Sequence, residues 1–167
     1  MVAVYGFRFR SVLRKKSDPS TLRPRAGFQE VVEGLLAATR ASRCTLRRDV
    51  PGDYFPVTHE ALAPGVPSIR EERTTDLRKA PVVRELLETG RQVVQDDCAR
   101  AFQDPAFQRM LDAYGGLAAQ IVTPVFGDGR LAAIVSLHQL GAPRRWSDEE
   151  RALAAEAGER VRALLGV

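Results

Sequence analysis

Two apolar segments joined by Gly127-Asp128-Gly129 constrain the fold of this chain more than any other feature. The segments read LAAQIVTPVF and RLAAIVSLHQL, and both have the length of a strand and are rich in Val and Ile. A glycine-containing turn between two such segments is typical of an antiparallel β-hairpin. The sequence therefore predicts a hairpin from Leu117 to Leu140, with side chains alternating between two faces.

The apolar pattern also predicts a register. If a three-residue turn pairs Phe126 with Arg130, one face is almost entirely apolar and must be covered by helices: Leu117, Ala119, Ile121, Thr123, Val125, Leu131, Ala133, Val135 and Leu137. The other face carries Gln120, Val122, Pro124, Ala132, Ile134, Ser136 and His138. A one-residue slip would mix the two sets. We expect the mixed face to be the floor of a small-molecule pocket, with Gln120 opposite Ser136 and with Val122 and Ile134 as apolar walls.

Further elements follow from helical spacing and from turn residues. A helix is predicted to start between Thr21 and Ala26 and to end near Arg40, and another runs from a Ser147–Glu150 capping box to Leu165. Strands are predicted at 44–49, 54–61 and 92–95, and shorter helices at 80–89 and 105–114. This order lacks alternating β–α crossovers, so it predicts an α+β fold with a mostly antiparallel sheet.

Several short motifs resemble those of the GAF domain family. They are Thr123-Pro124-Val125, the Asp128-Gly129 turn, Ile134 to His138, Arg144 to Glu150, and Leu86 to Val94 before the third strand. The resemblance implies a GAF/PAS-like sheet of about six strands, with the N- and C-terminal helices on one face. It also implies a ligand pocket on the other face, closed by segments 64–79 and 98–114. On this basis residues 21–167 form a single GAF-like domain, and residues 1–20 form a basic extension.

The net charge of +4 comes from the N-terminal extension. Residues 1–16 hold five basic residues and no acid, which leaves −1 for the remaining residues. A nearly neutral body does not indicate a nucleic-acid-binding face. Residues 1–16 are left with three interpretations: a candidate contact with an anionic membrane, a dimer arm, or an undocked terminal segment. Cys44 and Cys98 form no metal or redox spacing, and no apolar segment is long enough to span a membrane. We therefore expect a reduced, cytoplasmic protein.

The polar candidates on the pocket face each have a structural alternative. Arg47 is either a clamp for a carboxylate ligand or a solvated edge residue. His138 is either a pocket donor or a ring held by a backbone carbonyl. Gln120 and Ser136 either contact a ligand or bond to each other across the hairpin. Asp96 either supplies a pocket rim or caps the following helix.

No catalytic motif is present, and the sequence identifies no cofactor. The chain lacks the cyclic-nucleotide motif of some GAF domains, and Cys98 lacks the sequence context of bilin-attaching members. With no arginine cluster expected to face the pocket, the pattern favours a compact carboxylated or polar-aromatic ligand over a phosphate. The sequence thus predicts a small-molecule-binding sensory module that signals through a partner or as a homodimer paired by its terminal helices. The alternative, by resemblance, is a free methionine sulfoxide reductase using Cys98.

Overall fold

The computed structural model describes residues 27–167. The predicted basic extension 1–20 and the candidate membrane contact at residues 1–16 lie outside the described residues. Within the described part of the chain, no helix has the length and apolar character needed to cross a membrane.

Five helices and five strands follow one another along the described residues. They are α1 (Phe28–Thr39), β1 (Arg43–Arg48), β2 (Val57–Leu62), α2 (Pro81–Thr89), β3 (Val93–Gln95), α3 (Cys98–Ala101), α4 (Pro105–Ala113), β4 (Leu117–Gly127), β5 (Arg130–Leu140) and α5 (Asp148–Leu165). The predicted order is confirmed, with the four-residue α3 as an addition. Helix α1 begins at Phe28, after Gly27 as its N-cap, later than the start expected between Thr21 and Ala26.

The five strands form one antiparallel sheet in the order β2-β1-β5-β4-β3. The α+β class is therefore confirmed, and residues 27–167 contain five strands where about six were expected. Between β2 and α2 the chain stays irregular, where Pro64 and Pro67 lack the N–H group that a ladder needs. Strand β2 is an edge strand, and Pro56 stands just before it, as expected for a residue excluded from central strands.

The sheet separates two apolar cores. One lies under α1 and α5 and contains mainly Val and Ala side chains: Val31, Val32, Ala119, Ile121, Ala133, Val135, Leu137, Ala157 and Val161, together with Trp146. The other lies under α2 and α4 and includes Val83, Leu86, Phe107, Met110, Val122 and Ile134. We call the first the helix-side core and the second the cavity-side core. The terminal helices thus cover one face of the hairpin, as predicted.

The predicted hairpin register is wrong by two positions over most of its length. The turn holds only Asp128-Gly129, and an irregularity between Val125 and Phe126 shifts the pairing again. Gln120 consequently faces His138, and Ser136 faces Val122. A two-residue offset preserves the faces of most side chains. Leu117 and Leu131 are the exceptions, because they lie beyond the bulges and belong to the cavity-side core.

Candidate functional site

A small cavity of about 40 Å³ lies between the sheet and helices α2 and α4. Its lining residues are Arg47, Leu77, Ala80, Val82, Val83, Met110, Tyr114, Gln120, Val122, Ile134, Ser136 and His138. Six of the seven residues predicted for a ligand site are therefore brought together: Arg47, Gln120, Val122, Ile134, Ser136 and His138. Leu77, Met110 and Tyr114 come from the two segments that were expected to close the pocket.

Two arginines lie buried beside this cavity. Arg43 is fully buried, and it donates to the backbone oxygens of Pro67 at 2.9 Å and Tyr114 at 2.8 Å. Arg47 donates to the backbone oxygen of Phe55 at 2.9 Å and to the Tyr114 hydroxyl at 2.8 Å. Arg47 is only 8% exposed, so its interpretation as a solvated edge residue is wrong. The alternating side chains of β1 place both arginines on the cavity side.

Neither guanidinium forms a salt bridge with a carboxylate of residues 27–167. Burial lowers the pKa of Arg43 to about 10, with Glu60 acting in the opposite direction, so the group stays charged at neutral pH. Between the two arginines, the buried Thr45 Oγ1 has no hydrogen-bond partner in the described part of the chain. The expectation that no arginine cluster faces this side is wrong.

His138 is held in one tautomer by Arg43. The Arg43 Nε–H donates to His138 Nδ1 at 3.0 Å, and a ring nitrogen that accepts a hydrogen bond carries no proton. The proton of the neutral ring therefore sits on Nε2, which makes His138 a donor toward any further partner. Burial, reinforced by the charges of Arg43 and Arg47, holds the pKa of His138 well below its usual value. The backbone-carbonyl interpretation of His138 is wrong for Nδ1, whose partner is a side chain.

Gln120 and Asp96 make other contacts than those expected. Gln120 Nε2 donates to Gln95 Oε1 at 2.7 Å, so the predicted alternative bond to Ser136 is absent from residues 27–167. Asp96 does not line the cavity. Its Oδ1 accepts from the backbone N–H of Trp146 at 3.0 Å. The interpretation of Asp96 as the cap of the following helix is wrong, because the N-cap of α3 is Asp97.

The sequence pattern missed Arg43, Tyr114 and the α2 valines. The first strand was predicted to begin at Cys44, one residue late, which left Arg43 outside it. The alternation of Arg43, Thr45 and Arg47 against the apolar Cys44 and Leu46 is the signal that places two arginines on one face. Tyr114 lies at the end of a predicted helix, and no sequence signal indicates that its hydroxyl and its carbonyl both bind arginine.

Two larger clefts share walls with the small cavity. One of about 370 Å³ shares Arg47 and Leu77, and another of about 550 Å³ shares Ala80 and Met110. The second cleft is lined by apolar residues, including Phe107 and Met110, and by charged residues of both signs: Asp76, Lys79, Asp104 and Arg109. Leu77 and Met110 thus stand between the inner cavity and the surface.

The two cysteines lie on opposite sides of the sheet. Cys44 belongs to the helix-side core and Cys98 to the cavity-side core, and both are fully buried free thiols. Burial, with a smaller contribution from Asp97, raises the pKa of Cys98 to about 12. A thiolate nucleophile with a resolving thiol in reach is therefore not built at this site. Among residues 27–167, no group of three metal-ligating side chains comes together.

A family match agrees with the α+β fold described above. Residues 23–165 match the family model described as "GAF domain". The chain belongs to the GAF domain family. No curated protein sequence matches it.

Solved GAF structures resemble this GAF domain along most of its length. The cyanobacteriochrome TePixJ GAF domain superimposes with a TM-score of 0.73 at 21% identity, over 92% of this chain and 96% of that chain. The blue-light-absorbing form of the Thermosynechococcus elongatus PixJ GAF domain superimposes with a TM-score of 0.64 at 23% identity, over 83% of this chain and 87% of that chain. The chromophore-binding domain of the bacteriophytochrome RpBphP3 from R. palustris superimposes with a TM-score of 0.69 at 16% identity, over 83% of this chain and 53% of that chain. At these identities the likeness shows the fold alone.

Proposed function

We propose that this GAF domain is a sensory module that binds a small carboxylate-bearing molecule in the cavity lined by Arg47 and His138, without catalysis of its own. The observation that carries the proposal is a set of buried donors that have no acidic partner among residues 27–167: Arg43, Arg47 and the Nε2–H of His138. The solved structures described as a cyanobacteriochrome GAF domain and as the chromophore-binding domain of a bacteriophytochrome support a sensory role for the same fold.

The donor inventory favours a carboxylate. A guanidinium has five N–H groups, and Arg47 uses two of them on Phe55 and Tyr114. The other N–H groups of Arg47, the His138 Nε2–H and the Ser136 hydroxyl can donate hydrogen bonds to a ligand. Those from the charged guanidinium are the strongest. Val122 and Ile134 offer apolar contact beside them. A flat apolar acid such as benzoate matches this combination.

The cavity must enlarge for such a ligand. About 40 Å³ is space for roughly one water molecule, whereas small-molecule sites occupy about 300–1,000 Å³. Displacement of Leu77 or Met110 would join the inner cavity to the neighbouring clefts, because these residues line both. Binding in this proposal therefore selects an open state in which these side chains have moved.

The test combines an unbiased and a directed measurement. Native mass spectrometry of the purified protein looks for a co-purifying small acid, and a two-dimensional NMR titration with benzoate looks for shifts at Gln120 and His138. Arg47→Met should abolish the shifts, and the exposed Arg91→Met is the matched control. Two results together would exclude a carboxylate site here. Mass spectrometry would find no bound acid, and the benzoate shifts would either be absent or survive in Arg47→Met.

Two further tests address catalysis and output. Cys98→Ser should leave any ligand binding intact, whereas thiol-dependent turnover of methionine sulfoxide that Cys98→Ser abolishes would support the reductase instead. We also propose a homodimer paired through α1 and α5, where Leu36, Leu153 and Leu165 are only partly buried. Light scattering that shows a monomer at micromolar concentration would contradict the homodimer.

A further inference from the structure

A short chain of hydrogen bonds begins at the cavity wall. Gln120, which lines the cavity, donates its Nε2–H to Gln95 Oε1 at 2.7 Å. The two residues are direct neighbours in the pairing of β3 with β4, and both are buried. A change at the Gln120 amide therefore acts directly on the last residue of β3.

The same residue is bound from the other side of the sheet by tryptophan. Because β3 is an edge strand, its outer carbonyl groups are not used by the ladder. The indole Nε1–H of Trp146 donates to the backbone oxygen of Gln95 at 3.2 Å. The next residue, Asp96, accepts from Trp146 N at 3.0 Å and, through its backbone oxygen, from Arg144 N at 3.0 Å.

From here the contacts reach both terminal helices. Arg144 donates to the backbone oxygen of Thr39, the last residue of α1, at 2.7 Å and forms a salt bridge with Glu150 in α5. Its guanidinium carbon lies 4.5 Å from the Trp146 ring. Glu150 in turn completes the capping box with Ser147 at the start of α5. Residues 144–150 thus join the end of α1 to the beginning of α5.

We propose that Gln120, Gln95 and Trp146 couple the cavity to the terminal helices, so that a ligand bound at Gln120 changes the packing at the α1–α5 corner. This inference rests on the proposed function only in assuming that a ligand binds. The coupling itself does not depend on the proposed function. A ligand acceptor that takes the amide hydrogens of Gln120 competes with Gln95 Oε1. Gln95 then loses its buried partner, and its backbone oxygen is bound less firmly by Trp146.

The cavity supplies a matched control for this route. Ser136 lines the same cavity, but its side chain makes no hydrogen bond within residues 27–167. Trp146 is the only tryptophan of the chain, so its indole N–H gives one assignable NMR signal. Hydrogen exchange of that N–H therefore reports on the Gln95–Trp146 contact, without any ligand.

The experiment compares the exchange rate of the indole N–H in four variants: Gln120→Met, Gln95→Met, the double variant, and Ser136→Ala. Because one buried hydrogen bond is lost, we expect exchange to be about fivefold faster in each glutamine variant. The double variant should exchange no faster than either single one, because both remove the same bond. Ser136→Ala should leave the rate unchanged. The free energy of unfolding of each variant is measured by urea denaturation, so that exchange through global unfolding is subtracted.

Two results would overturn the coupling. One is an unchanged exchange rate in Gln120→Met, and the other is equal acceleration by Ser136→Ala, which would indicate general loosening of the cavity. If Gln120→Met fails to fold, Gln120→Asn keeps the amide but is one methylene too short to reach Gln95, and the same outcomes apply. Exclusion of a carboxylate site by the mass spectrometry and the benzoate titration together would remove the proposed ligand class and leave the coupling result standing.

Discussion

Arg43 and His138 are paired across β1 and β5, and Arg43 Nε–H donates to His138 Nδ1 at 3.0 Å. A group that is charged at neutral pH thus fills the position from which a proton would approach Nδ1 of the ring. Arg47 adds a second positive charge nearby, and burial removes the solvent that would stabilise an imidazolium. The folded protein therefore keeps His138 neutral at pH values where an exposed histidine is charged.

We predict that the free energy of unfolding falls as the pH decreases below about 6.5, the usual pKa of histidine in an unfolded chain. The sign follows from proton uptake. Below that pH the unfolded chain binds a proton at residue 138, and the folded protein does not until its lowered pKa is reached. The slope due to His138 is up to about 1.4 kcal/mol per pH unit. Urea denaturation at several pH values between about 7 and 5 measures it.

The variant His138→Gln separates this contribution from others, because an amide oxygen still accepts from Arg43 while no titration remains. We expect a shallower pH dependence in His138→Gln. His59, the other histidine, also has a lowered pKa, but it is only partly buried, so His59→Gln should change the slope less. An unaltered slope in His138→Gln would show that residue 138 takes up its proton over the same pH range in the folded and the unfolded protein, and would contradict the lowered pKa.

The second prediction concerns Arg43 itself. Arg43→Met leaves His138 Nδ1 and the carbonyls of Pro67 and Tyr114 without their donor. We expect a loss of about 2–4 kcal/mol in the free energy of unfolding, since each unpaired buried acceptor costs about 1–3 kcal/mol and removal of a buried charge offsets part of it. Arg91→Met, at an exposed position, should lie within about 0.5 kcal/mol of the wild type. Equal effects of the two variants would contradict a structural role for Arg43.

The fold was largely predictable because its main signals are local. The hairpin, the Ser147–Glu150 capping box and the Leu86–Gly90 helix end depend on residues close in sequence, and the structure confirms each of them. The register was not predictable in detail. The irregularity between Val125 and Phe126 shifts the pairing of the two strands, and nothing in the composition of the two segments marks it.

The site was predictable only as a face. Alternation along β4 and β5 brought Gln120, Val122, Ile134, Ser136 and His138 to one cavity despite the wrong register, because an offset of two residues preserves the faces. Contacts over long sequence separations were not predictable. Arg43 reaches Tyr114, and Asp96 reaches Trp146, through the way in which irregular segments return to the sheet.

The third prediction is slow thiol chemistry. Burial raises the pKa of Cys98 to about 12 and raises that of Cys44 as well. The thiolate fraction at about pH 8 is then on the order of a thousandfold below that of an exposed cysteine. We expect Ellman's reagent to label neither thiol of the native protein while it labels both rapidly in urea. Rapid labelling of Cys98 in the native protein would reopen the redox alternative.

The last prediction concerns the contact of α5 with β4. Gly158 is a buried helical residue, and a Cβ added there would lie 2.9 Å from Thr123 Cγ2. We expect Gly158→Ala to lower the free energy of unfolding by about 1–2 kcal/mol, because overpacking outweighs the gain in helix propensity. Thermal or urea unfolding measures the change.

Two further variants decide whether the methyl group of Thr123 is the cause. Thr123→Ser removes Cγ2 but keeps the hydroxyl that accepts from Gln92 Nε2 at 2.9 Å. In that background Gly158→Ala should become neutral or stabilising, since only the helix-propensity gain of about 1 kcal/mol remains. Gly34→Ala in α1, where an added Cβ meets nothing within 4 Å, should stabilise by about 0.5–1 kcal/mol. If Gly158→Ala is as favourable as Gly34→Ala in the wild-type background, α5 lies farther from β4 than the structure places it.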